Sequence, residues 1–119
     1  MTKDQIIDQL DSQLERFHPT DPAEDVYSHL NHFTEQLVIS ERPALLEALR
    51  DWLGLRSEPR TMLAVDIAAS HGLGELRPEI EGLLADVQRK KVFKTYYERP
   101  IRKALEKLPE VEIDGPEME

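Results

Sequence analysis

Asp25, His29 and His32 recur at i, i+4 and i+7 with Glu35 close behind, the spacing at which one helix can hold several metal donors on one side. They flank the apolar stripe Val26, Leu30, Phe33 and Leu37 rather than lying on it. No second helix supplies a completing set of donors, so the group reads as a solvated flank and neither metal nor cofactor is expected. Ser70 and His71 are adjacent in sequence, which is no nucleophile–base geometry by itself. Gly72-Leu73-Gly74 follows no strand and has too few glycines for a phosphate loop. His18 reads as a turn residue and His71 as a cation at a helix end. The chain has no cysteine, which excludes disulfides and thiolate metal sites. A non-catalytic protein is expected.

Charge carries more information. The 119 residues bear a formal net charge of −9, unevenly distributed. Residues 1–88 hold 7 basic and 17 acidic side chains, whereas residues 89–107 hold 8 basic and 2 acidic ones. The last eleven residues, PEVEIDGPEME, add five carboxylates and no cation. Such segregation makes the molecule an electrostatic dipole. The basic segment interleaves Arg89, Lys90, Lys91 and Lys94 with Phe93, Tyr96 and Tyr97, and Arg99, Arg102, Lys103 and Lys107 extend it. Cations beside aromatics hold phosphates and stack on bases. The rival reading is that Phe93, Tyr97, Ile101, Leu105 and Leu108 pack inward while the cations merely flank them. The acidic tail could also fold over this patch.

The elements that must position these groups are helical. Thr2 and Gln5 suit a capping box, opening a helix from Lys3 to Phe17 with Ile7, Leu10, Leu14 and Phe17 buried. HPTDP ends it, and a second helix starts at Asp21–Glu24. A third runs from Ser40 to Leu53, closed by Gly54. Ser57 as N-cap, with Glu58 and Pro59 in the first turn, opens a fourth, and Gly72 ends it as a left-handed residue. Pro78 opens a fifth with Ile80, Leu83, Leu84 and Val87 on one face. A sixth spans Val92 to Leu108, kinked at Pro100 or beginning there. Residues 109–119 read as an acidic, disordered tail outside a single domain of residues 1–108. MTKDQIIDQLDSQ lacks an apolar run, so neither a signal peptide nor a membrane span is expected, and a cytoplasmic protein is the default.

A weak internal repeat links the helices. A 35-residue shift lays Arg42-Pro43 over Arg77-Pro78, Leu45 over Ile80, Ala48 over Leu83, Leu49 over Leu84 and Trp52 over Val87. The same shift matches Ala69 with Ala104 and Leu73 with Leu108. Through TMLAVDIAASHGLGELRPEIEGLLADV and, more loosely, RPIRKALEKL, the chain resembles the HEAT-repeat family over roughly residues 25–108. LNHFTEQLVIS departs from the family's small-residue pattern. The resemblance implies a short α–α superhelix of about six helices. It favours a kink at Pro100, since kinked first helices are common in the family.

The resemblance also implies that the third and fifth helices line a concave face. Opposite their buried stripes stand Glu47 and Asp51 on one and Glu79 and Asp86 on the other, with Leu46 at the rim. This acidic ridge is expected to receive a basic protein partner, in the manner of inhibitor or immunity-type proteins whose carboxylates occupy phosphate positions. Nucleic-acid binding through residues 89–107 is the rival, and a scaffold subunit the bland alternative. Trp52 and Leu46 read either as core or as interface residues.

Overall fold

The structure is a computed structural model that describes residues 1–57, 59–91 and 93–108. Glu58, Val92 and the acidic segment 109–119 lie outside the described residues, and with them the expected tail. Among the described residues the regular structure is helical: α1 (Lys3–Leu14), α2 (Ala23–Ser40), α3 (Arg42–Leu55), α4 (Arg60–His71), α5 (Arg77–Gln88) and α6 (Glu98–Lys107). Short 3-10 turns at Gly74–Leu76 and Thr95–Tyr97 lead into α5 and α6. No helix is long and apolar enough to cross a membrane, among the described residues.

Several helix ends follow directly from residue type. Thr2 and Gln5 close the capping box: Thr2 Oγ1 accepts from the Gln5 N–H at 3.2 Å and Gln5 Oε1 from the Thr2 N–H at 2.8 Å. Pro43 and Pro78 occupy first turns, where no intrahelical N–H bond is lost. Gly72 stands at φ 64 just beyond α4, and the Leu73 N–H reaches back to the Ala68 carbonyl at 2.9 Å, a Schellman closure.

Other ends differ from expectation. α1 stops at Leu14 and tightens into turns through Phe17, whose N–H bonds the Leu14 carbonyl. Gly54 lies inside α3, and the left-handed residue beyond it is Arg56 at φ 53. Such a conformation costs a non-glycine residue roughly 1–2 kcal/mol. It is held here because the Arg56 guanidinium reaches Asp86 Oδ2 at 2.9 and 3.1 Å and the Leu53 carbonyl at 2.9 Å. The cap of α4 is Pro59 rather than Ser57. Pro100 does not kink the last helix. α6 begins at Glu98, so the ring falls in the first turn, where proline is tolerated.

Odd helices pack on odd and even on even: α3 lies between α1 and α5, and α4 between α2 and α6. The two rows touch through α1 with α2, α2 with α3, α3 with α4, and α5 with α6. The shortest dimension, 21 Å, is that of two stacked helices. The core runs between the rows through Ile6, Leu10, Leu30, Leu45, Leu49, Trp52, Leu63, Ile67, Ile80, Leu83, Val87 and Ile101. Leu84, expected in the same seam, is only partly buried at its margin. Trp52 is 1% exposed and Leu46 8%, so both belong to the core, and the expected exposure of Leu46 at a rim is corrected. Leu46 is enclosed because α3 is covered by neighbours on four sides, α1, α2, α4 and α5.

Thr61 stitches the rows together from a fully buried position. Its hydroxyl donates to the Trp52 carbonyl at 2.8 Å and accepts from the Ser57 N–H at 2.8 Å. Thr61→Val should leave those backbone groups without this partner and cost about 2–3 kcal/mol in urea unfolding. Thr61→Ser keeps the hydroxyl and should cost only about 1 kcal/mol. Equal losses for the two variants would show that packing rather than hydrogen bonding holds the junction.

Candidate anion-binding face on the last helix

The ridge carboxylates are largely occupied by the chain's own cations. Asp51 meets Lys3 of α1 at 3.0 Å, Glu79 meets Arg50 of α3 at 3.2 Å, and Asp86 meets Arg56 at 2.9 Å. Asp51 is therefore engaged towards α1 and Asp86 towards α3. Glu47 is exposed and makes no ion pair among the described residues. Arg42 continues the ladder with a two-pronged bond to Glu75, Nε to Oε2 at 2.9 Å and Nη2 to Oε1 at 2.8 Å. The bond from Arg42 is the main reason the Glu75 carboxyl is held below the usual carboxylate range. Lys3 is raised chiefly by its hydrogen bond to Asp51.

The cations divide sharply along the chain. Lys3, Arg42, Arg50, Arg56, Arg60 and Arg77 each form an ion pair, and Arg16 bonds Gln13. Among the described residues, Arg102 alone in the basic segment does so, with Glu98 at 2.7 Å. That bond, then one from Gln88, holds Glu98 below its ordinary value. Arg89, Lys90, Lys91, Lys94, Arg99, Lys103 and Lys107 make no ion pair among the described residues. Apart from Arg16, the Lys and Arg side chains without an ion pair among the described residues are thus gathered on α6 and the connection before it.

The connection is shaped to present them. α5 ends in a Schellman closure, with the Lys91 N–H on the Asp86 carbonyl at 2.9 Å and Lys90 left-handed at φ 61. Phe93 is also left-handed, at φ 56, and its ring rests 5.3 Å from Tyr97. Tyr96 stacks on Tyr97 at 4.7 Å and is 65% exposed. Ile101 and Ala104 of α6, and Leu108 just beyond it, turn inward. Arg99, Lys103 and Lys107, four residues apart and about 6 Å apart along the axis, remain exposed. Tyr96, Glu98, Arg99, Arg102, Lys103 and Glu106 line a shallow hollow of about 500 Å³.

The helix-borne donors do not converge. His29 Nε2 lies 2.6 Å from Gln13 Oε1 and its ring sits edge-on to Phe17 at 5.4 Å, while His32 and Glu35 are exposed at 3.7 Å. Among the described residues no three His, Cys, Asp or Glu side chains are placed to hold a metal. His71 bonds Thr34 Oγ1 at 3.0 Å and faces the Asn31 carbonyl at 3.2 Å. A second hollow, about 580 Å³ under the α1–α2 turn, is lined by Leu14, Phe17, Val26, Tyr27 and Leu63 among others, and its acid, Asp21, is already turned to the His18 N–H. The pairing of the ridge had no signal in sequence spacing, because it joins residues 29–48 positions apart across helix boundaries.

No family model, curated protein or solved structure matches this chain.

Glu75→Gln should reduce stability at neutral pH by at most about 1 kcal/mol, since the pair is half-exposed. A carboxyl held below its ordinary value stabilises fully above about pH 4.5 and loses that contribution as pH falls through the lowered value. The gap between the two proteins in chemical unfolding should therefore close on acidification. A gap unchanged down to the acid transition would contradict the pairing.

Proposed function

We propose that this chain is a non-catalytic binding module, a short HEAT-like array of helix pairs, that receives a flexible polyanion on α6. Single-stranded nucleic acid is the best chemical match, since cations and an exposed tyrosine stack stand side by side. The observation that carries this reading is the partition of cations: among the described residues, seven of the eight Lys and Arg side chains without an ion pair lie between Arg89 and Lys107, and the eighth, Arg16, bonds Gln13. Against the net charge of −9, two acids line the hollow itself, Glu98, which is paired with Arg102, and Glu106. Repulsion from acids farther off than the ~8 Å screening length is damped at physiological salt.

Support for the array comes from the matched starts of α3 and α5 at Arg42 and Arg77. Equivalent residues also touch: Asn31 Nδ2 donates to Asp66 Oδ2, 35 positions on, at 2.6 Å. A cytoplasmic location accords with this reading. The rival proposal is an inhibitor or immunity-type protein receiving a basic partner on Glu47, Asp51, Glu79 and Asp86. Among the described residues, Glu47 alone of these four makes no internal ion pair.

Fluorescence anisotropy with a labelled oligothymidylate or oligouridylate separates the two. Binding at low salt should weaken steeply as salt rises, and Arg99→Glu with Lys103→Glu should reduce the slope of log affinity on log salt by about 1.4. Asp51→Lys with Asp86→Lys should leave that slope unchanged. No anisotropy change at low salt, or equal binding by the α6 variant, would overturn the proposal.

A further inference from the structure

A second feature of α6 concerns what lies on its other flank. Between α4 and α6 runs a groove of about 200 Å³, lined by Met62, Val65 and Ala69 on one wall, with Lys103, Ala104 and Lys107 on the other. It is smaller than the ~300 Å³ of ordinary small-molecule sites, and its form suits side chains of an extended segment. Asp66, the acid on its α4 wall, already accepts from Asn31, whereas Lys103 and Lys107 have no carboxylate partner among the described residues.

The described chain ends beside this groove at a fixed point. Leu108 is buried, and its carbonyl accepts from Arg77 Nη1 at 3.3 Å. Its ψ of 137° leads the backbone out of the helix, as a residue before proline requires. The sequence then reads Glu110-Val111-Glu112-Ile113-Asp114, acids and branched aliphatics in strict alternation. Taken as extended chain, such a run presents its apolar residues to one side and its carboxylates to the other. Four residues from Leu108 reach about 14 Å, while Lys103 lies only about 8 Å back along the helix axis. A short tether of this kind gives an effective concentration in the millimolar range.

We propose that residues 110–114 dock in the groove between α4 and α6, Val111 and Ile113 against its apolar wall and the carboxylates on Lys103 and Lys107. In the full chain this segment then competes with any polyanion for the same two lysines.

Zero-length carbodiimide crosslinking of the full chain, without oligonucleotide, reads the contact directly by mass spectrometry. Links from Glu112 or Asp114 to Lys103 or Lys107 should dominate in monomeric protein and fall several-fold in Ile113→Asp. Links found only in a dimer would assign the groove to a second copy and overturn docking within the chain. Links spread equally to Lys90, Lys91 and Lys94, a yield unchanged in Ile113→Asp, or no links at all, would also overturn it. None of these outcomes depends on oligonucleotide binding, so the two proposals fail separately.

Discussion

The enclosure of α3 is the constraint from which the rest follows. Helices lie against it on four sides, and Leu45, Leu46, Ala48, Leu49, Trp52 and Leu53 are all buried. Apart from the exposed Glu47, its charged side chains emerge at seams with neighbours, where a partly desolvated charge needs a partner. Arg42, Arg50 and Arg56 find theirs on the segment from Glu75 to Asp86, and Asp51 finds Lys3 on α1. Each pair is half-exposed and worth little alone. Together they fix how α5 lies along α3 and satisfy the left-handed Arg56.

That sorting has a consequence at the other end of the molecule. Cations spent on the α3 seams give no field to a partner, and the carboxylates paired with them are muted in the same way. On the connection after α5 and on α6, seven cations make no ion pair among the described residues. Two left-handed residues, Lys90 and Phe93, turn the chain there and bring Tyr96 and Tyr97 into a stack beside the cations. A body with a net charge of −9 thus carries a compact positive face.

Legibility in the sequence tracked the range of each interaction. Local chemistry was readable: the Thr2–Gln5 box, the prolines in first turns and the left-handed Gly72 are set by residues within one turn. Arg42 and Arg77, matched by the 35-residue shift, are the first residues of α3 and α5, although the third helix was expected from Ser40. What depended on contacts between helices was hidden. Gly54 carries the usual stop signal, yet Arg56 takes the left-handed place because Asp86, 30 positions later, holds its guanidinium. Leu46 aligns with the exposed Glu81 in the repeat and is nonetheless buried, since α3 has neighbours that α5 lacks. Asp51 and Asp86 sit in matching repeat positions but are engaged by different partners, which spacing alone does not encode. The basic segment was visible as composition, whereas its freedom from ion pairs was visible only in three dimensions.

The central claim is that the cations on and just before α6 are available to a partner, whereas three of the four ridge carboxylates are engaged within the chain. A nitrogen-15 chemical-shift titration of the full chain, run once with a short oligothymidylate and once with an oligolysine at low salt, tests it most directly. The account predicts that the oligoanion shifts amides from Tyr96 to Lys107, while α3 and α5 respond weakly to either probe. Strong oligolysine shifts centred on Glu47, Asp51, Glu79 and Asp86, with α6 silent towards the oligoanion, would contradict it.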